Sequence, residues 1–169
     1  MKLGNIFLIG MMGAGKSTVG KLLANNKTSF IDIDDELEKI TDMSITDMFN
    51  YYGYDRFRLM ESTFFKECSK LNQFIFSTGG GIVEYKDNQS ILKNNGFCIF
   101  LDCSLEELKK RIRNDIKQRP LLQKNSNSTI DKIYNCRYTL YKACSHLTIN
   151  VNDKTPEQIV LQINKHLNA

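Results

Sequence analysis

The sequence predicts a three-layer α/β/α sandwich built on a parallel sheet. Two observations carry that expectation. Five short apolar runs, 5–9, 29–33, 74–77, 97–101 and 147–151, alternate with stretches of helical periodicity. These runs are continuous and rich in Ile and Phe, as strands buried on both faces of a sheet require. The first run also leads directly into a glycine-rich loop and then a helix pattern. Alternation of this kind builds right-handed crossovers between parallel strands.

Taken in chain order, residues 16–25 place Val19, Leu22 and Leu23 on one helical face. Ser44 opens a helix to Tyr52, with Asp47 three residues on, a pairing that satisfies free N–H groups of a first turn. A longer helical pattern runs from about Asp55 to Leu71. Between Ser104 and Ile116, Leu105, Leu108 and Ile112 recur at helical spacing. The last helix opens at Thr155-Pro156-Glu157: a cap, a residue pre-set for the first helical position, and an acid that suits the dipole. Residues 118–129 are polar and irregular, as a functional loop within a compact domain would be. No repeat or linker divides the chain, so residues 1–169 are expected to form one domain.

Composition narrows the class. The chain is 41% hydrophobic and 25% charged, which suits a folded globular protein and excludes a disordered polyelectrolyte. Its net charge of +4 is dispersed, which argues against a nucleic-acid partner. The five cysteines are odd in number, lack C-x-x-C spacing and lie partly in apolar runs, so buried free thiols are expected. Neither His146 nor His166 has a metal-ligand spacing. No apolar stretch reaches membrane-spanning length, and the run 6–9 leads into a glycine loop rather than a cleavage site. A cytoplasmic location without a membrane partner is therefore expected.

The strongest motif is Gly10-Met11-Met12-Gly13-Ala14-Gly15-Lys16-Ser17, which fits G-x-x-x-x-G-K-[ST] between a strand and a helix. Glycines let backbone N–H groups wrap a phosphate chain closely, and the helix N-terminus favours the anion. Lys16 can reach the β- and γ-phosphates, and the Ser17 hydroxyl can ligate Mg²⁺. The motif points to a nucleoside triphosphate, held from Gly13 through Thr18, and by itself does not separate a GTPase, a motor ATPase and a small-molecule kinase.

Other residues narrow the acceptor. Asp32-Ile33-Asp34 ends the second apolar run, where ligands of open α/β sheets bind. Alternation would place Asp32 and Asp34 on one side of an extended chain, one to serve a cation and the other to receive a proton. The same acids would equally suit the start of an exposed helix. Arg58 and Glu61 share a helical face, either as a surface ion pair or with Glu61 orienting Arg58 toward a carboxylate. Gly79-Gly80-Gly81 follows the third run and would let a ligand lie against backbone. Arg119 opens the irregular loop and suits a closing lid. Arg137 reads as a second carboxylate ligand or as a solvated helix charge.

In this order, the phosphate loop, Asp32-x-Asp34, Phe57-Arg58-x-x-Glu61, Gly79-Gly80-Gly81, Arg119-Pro120-Leu121-Leu122 and Arg137-x-x-Leu140-Tyr141 resemble shikimate kinase. The resemblance runs over nearly the whole chain. It implies a fold like that of nucleoside monophosphate kinases, with sheet order 2-3-1-4-5, a substrate-binding segment of about 34–62 and a lid of about 117–129. It implies transfer of the ATP γ-phosphoryl group to the shikimate 3-hydroxyl, a step of chorismate and aromatic amino-acid biosynthesis. By it, Lys16, Asp34 and Arg119 are catalytic, with Asp34 as candidate base. Asp34, Arg58, Glu61, Gly79, Gly80, Gly81 and Arg137 hold the acceptor, and Ser17 and Asp32 serve Mg²⁺. Lys154, Pro156 and either Arg111 or Arg113 flank the adenine, with Arg111 ranked ahead. The expected partners are shikimate and ATP alone, on a monomer.

Two other readings remain at this stage. A gluconate kinase of the same fold would also take a hydroxylated carboxylate. A nucleotide-dependent switch would bind a protein partner, although no N-K-x-D signature for a guanine base is present.

Overall fold

A computed structural model describes residues 4–24, 28–115 and 127–168. Its five strands, β1 (Asn5–Ile9), β2 (Ser29–Asp32), β3 (Phe74–Ser77), β4 (Gly96–Asp102) and β5 (Leu147–Asn150), form one sheet in the order β2-β3-β1-β4-β5. Every strand pair is parallel. The fold class and strand order expected from the sequence are thus those observed.

The central strand explains the architecture. All five residues of β1 are buried, so the sheet is covered on both sides. Phe7 meets Phe65 edge-on and stacks with Phe76, both at 5.4 Å between ring centroids. Its neighbour Leu8 faces the opposite way, toward Gly20. Accordingly α1 (Lys16–Leu23) and α8 (Pro156–Leu167) pack together on one face. On the other, α4 (Tyr54–Cys68), α5 (Lys86–Asn94) and α7 (Asn127–Cys144) form the second layer. Short helices α2 (Ile33–Thr41) and α3 (Ile45–Tyr52) precede α4, and α6 (Leu105–Asp115) follows β4.

Several elements begin with side-chain caps. Ser44 accepts from the Asp47 N–H at 3.0 Å, and Thr155 and Gln158 form a reciprocal capping box with Pro156 in the first turn. Both helix starts are those expected.

The structure corrects four details. Ile33 does not extend β2 but begins α2, because Asp32 caps a helix there. Residues 127–129, expected to be irregular, belong to α7. Helix α5 was not expected: its apolar content is Ile91 and Leu92 in an otherwise polar stretch. Finally, Cys68, Cys98, Cys103 and Cys144 are buried free thiols, but Cys136 is exposed.

Because all strands run the same way, the residues following β1, β2 and β3 converge at one edge of the sheet. There a cleft of about 280 Å³ opens, lined by the loop after β1, by Asp32 and Asp34, and by Ser77, Thr78 and Gly80.

Candidate active site

The donor end of the cleft is made by one contiguous loop. Gly13 and Gly15 hold left-handed backbone, with φ of 80° and 94°, so the chain turns tightly into α1. Ala14 is fully buried beneath this turn, and its N–H donates to the Met11 carbonyl at 3.2 Å. The N-terminus of α1 thus faces the cleft, with Thr18 on its rim. Lys16 is folded over the loop, its Nζ donating to the Gly10 and Met11 carbonyls at 2.9 Å each.

The expected metal pair is also brought together. The Ser17 hydroxyl donates to Asp32 Oδ2 at 2.5 Å. Asp32 Oδ1 accepts from the Asp34 N–H at 3.1 Å and caps α2. A hydroxyl and a carboxylate so placed beside the loop are hard oxygen donors, the set a magnesium ion takes when phosphates and water complete its shell. No group of three or more His, Cys, Asp or Glu side chains able to hold a metal exists among the described residues.

Asp34 reaches the cleft by a different route from the one expected. It lies in the first turn of α2, not on an extended chain, and the helical turn rather than strand alternation keeps it beside Asp32. Its Oδ1 is buried with no hydrogen-bond partner. Burial pushes its carboxyl up to about 7, with Glu61 and Asp32 adding to the rise while Lys16 and Arg58 oppose it.

The acceptor side stands beyond the triple glycine. Arg58, Glu61 and Arg137 are only 7%, 1% and 5% exposed. Arg58 Nη1 donates to Glu61 Oε2 at 2.6 Å, and its guanidinium lies over the rings of Tyr54 and Phe57 at 5.0 and 5.2 Å. The pair is therefore not a surface salt bridge, and Arg137 is not a solvated helix charge. Burial raises the Glu61 carboxyl despite Arg58.

Two of the three glycines are sterically fixed. A Cβ on Gly79 would stand 2.1 Å from Glu61 Oε1, and one on Gly81 would stand 2.2 Å from Arg58 Cζ. Gly80 has room on its cleft side, where Arg137 Nη1 approaches. At Gly79 and Gly81 only glycine lets the backbone pass so close to Glu61 and Arg58.

Sequence reading missed Glu84 here and quoted Tyr141 only as part of a motif, without a role. Glu84 ends the short 3-10 turn Ile82–Glu84, and its Oε1 accepts from Arg137 Nε at 2.7 Å. Its Oε2 accepts from the Tyr54 hydroxyl and lies 3.8 Å from Arg58 Nε. Burial alone would raise the Glu84 carboxyl, but Tyr54 and Arg137 hold it below the usual range. Tyr141, fully buried, donates to the Gly80 carbonyl. The one available signal for Glu84 was a charge after the apolar pair Ile82-Val83, and it has no partner nearby in sequence.

At the far end of the sheet, Arg111 Nη2 donates to the Val151 carbonyl at 3.0 Å and Nε to Glu107 at 2.9 Å. Lys154 Nζ donates to the Asn150 carbonyl at 2.7 Å, and Pro156 begins α8. Arg111, Lys154 and Pro156 thus gather around the end of β5. Arg119, and most of the segment assigned to a lid, lie outside the described residues.

A parallel sheet of this strand order, with a phosphate loop after its central strand and an acidic and basic cluster facing it, defines a P-loop kinase. The family model for shikimate kinase matches residues 12–168. The chain belongs to the shikimate kinase family. It is 41% identical over 165 residues to the shikimate kinase of Enterococcus faecalis, covering 96% of this chain and 98% of that one. It is 42% identical over 159 residues to that of Clostridium beijerinckii, covering 94% and 91%. Among solved structures, shikimate kinase from Acinetobacter baumannii in complex with shikimate superposes with a TM-score of 0.91 at 33% identity, covering 98% of this chain and 93% of that one. The Aquifex aeolicus enzyme gives 0.80 at 31% identity, covering 97% and 96%.

Proposed function

We propose that this chain transfers the γ-phosphoryl group of ATP to the 3-hydroxyl of shikimate, giving shikimate 3-phosphate and ADP in aromatic amino-acid biosynthesis. The observation that carries the assignment is the buried pair Arg58 and Arg137 behind Gly80, across the cleft from the phosphate loop. Two guanidinium groups offer the planar, multiple donors that a carboxylate on a small ring requires.

Residues 13–18 hold the phosphates of ATP, and Arg111, Lys154 and Pro156 flank its adenine; the Arg111 contact with Val151 supports its choice over Arg113. Ser17 and Asp32 hold Mg²⁺, which when bound offsets phosphate charge. Lys16 leaves its carbonyl partners for the β- and γ-phosphates and stabilises charge in the transition state. Residues 34–62 receive the acceptor, with Glu61 bracing Arg58 and the backbone of Gly79–Gly81 as the floor. Asp34 orients the acceptor hydroxyl at its unpartnered Oδ1 and takes its proton as transfer proceeds. The segment assigned to a lid, now ending before α7, brings Arg119 to the phosphates and excludes water. The enzyme works as a cytoplasmic monomer on its two substrates alone.

Coupled ADP release with ATP and Mg²⁺ tests the reading, comparing shikimate, gluconate, AMP and no acceptor. Turnover with shikimate alone is expected. Turnover with gluconate in its place would overturn the acceptor, and nucleotide binding without turnover would overturn the reaction.

A further inference from the structure

Arg58 and Arg137 are like charges buried close enough that each disfavours the other's charge. Their opposite charges are placed unequally. Glu61 meets Arg58 only at Nη1, from within the same helix. Glu84 faces the Nε edge of both arginines but bonds only one: Arg137 Nε donates to it at 2.7 Å, while Arg58 Nε lies 3.8 Å away with no hydrogen-bond partner. A guanidinium gripped at Nε is fixed in its plane, because its five donors are rigidly related. With Nε of Arg137 turned to Glu84, its Nη1 points to Gly80, which lines the cleft.

Glu84 is itself held. Its N–H donates to the Gly81 carbonyl at 3.0 Å. The Ile82 and Val83 carbonyls before it accept from the side chains of Asn88 and Gln89, at 3.0 and 2.7 Å. Tyr54, from the start of α4, donates to its carboxylate from the far side. The side chain is 29% exposed, so it stands at the rim of the cluster, and Tyr54 and Arg137 keep its carboxylate charged against the cost of its partial burial.

We infer that Glu84 is a positioning residue for the acceptor: it grips Arg137 by its Nε edge, sets a negative charge beside Arg58 that offsets the repulsion between the two arginines, and turns the Nη end of Arg137 toward an incoming carboxylate. It does not itself touch the acceptor. The inference rests on the reading of the two arginines as the carboxylate site.

Steady-state kinetics of the full chain at saturating ATP test it. Glu84→Ala is expected to raise the acceptor KM by about tenfold or more, while kcat changes less than about threefold and the ATP KM is unchanged. Glu84→Gln keeps an oxygen acceptor for Arg137 Nε and is expected to recover most of that loss. Tyr54→Phe frees one side of Glu84 and is expected to raise the acceptor KM by about two- to threefold. The preference for shikimate over its neutral carboxamide, measured as competing ligands, should shrink in Glu84→Ala; a purely structural role would leave it intact. An unchanged or lower acceptor KM in both Glu84 variants would overturn the inference, as would parallel losses in kcat and ATP affinity. Arg137→Ala separates the two levels. If it raises the acceptor KM and the Glu84 variants do not, only the role of Glu84 falls. If it too leaves the acceptor KM unchanged, the carboxylate site is misassigned.

Discussion

The two ends of the cleft are built on opposite principles. The end proposed for ATP is one unbroken stretch, Gly10 to Thr18, which offers backbone N–H groups and a lysine resting on its own loop's carbonyls. Residues from four separate segments make the acceptor end: Asp34 in α2, Arg58 and Glu61 in α4, Gly79 to Glu84 after β3, and Arg137 in α7. There Glu61 pairs with Arg58 from one helical turn away, Glu84 meets Arg137 from 53 residues away, and Asp34 Oδ1 is left without a partner. A local loop binds through its shape and survives the loss of a side chain. A buried cluster binds through mutual compensation, so removing one member leaves another uncompensated.

Four expectations follow from this contrast, and each would break it if it failed. The largest concerns Lys16→Met, which should cut kcat by about a thousandfold while thermal stability stays near that of the parent chain. A large fall in Tm would mean that the donor loop is as interdependent as the acceptor cluster. Asp34→Asn should reduce kcat by about a hundredfold or more. Its effect on stability has a defined sign. The folded chain holds the Asp34 proton up to about pH 7, whereas the free side chain loses it near 3.8. The contribution of that proton is complete below pH 3.8 and is lost as pH rises through 7. Asp34→Asn should therefore be more stable than the parent at pH 8, by about 3 °C or more in Tm, and no different at pH 4. For the same reason, acceptor kcat/KM of the parent should rise with pH through about 7.

Arg58→Ala should lose most turnover, raise the acceptor KM and, unlike Lys16→Met, lower stability by about 3 kcal/mol, because Glu61 is left buried alone. Denaturant unfolding checks the second part; adding Glu61→Leu should restore much of the stability and none of the activity. The smallest effects belong to the adenine end. Arg111→Ala and Lys154→Ala should each raise the ATP KM by about two- to fivefold, with the acceptor KM unmoved.

The same contrast explains what could be read from the sequence. The parallel sheet, phosphate loop and most helices were legible because local patterns set them: apolar runs, caps and a contiguous glycine motif; the strand order came only with the family resemblance. Arg58 and Glu61 were legible as a pair because one helical turn separates them. Asp34 was found for a reason the structure replaces, since its side of the cleft is set by the cap at Asp32 rather than by strand alternation. Glu84 was not legible, because its partners Arg137 and Tyr54 lie 53 and 30 residues away and meet it only when α4, α7 and the turn after β3 are packed.

Asp32 ties these two halves together. One of its oxygens starts the helix that carries Asp34, and the other grips Ser17 in the phosphate loop. A single carboxylate is thus both scaffold and tool, and the two duties can be divided by substitution. Asparagine, a good cap without charge, keeps the first duty and can still hydrogen-bond Ser17, but removes the anionic oxygen proposed for the cation. Alanine forfeits both. An allele of the first kind would yield a folded protein with a full complement of substrate-shaped surfaces and no chemistry, the form most useful for trapping both substrates in place.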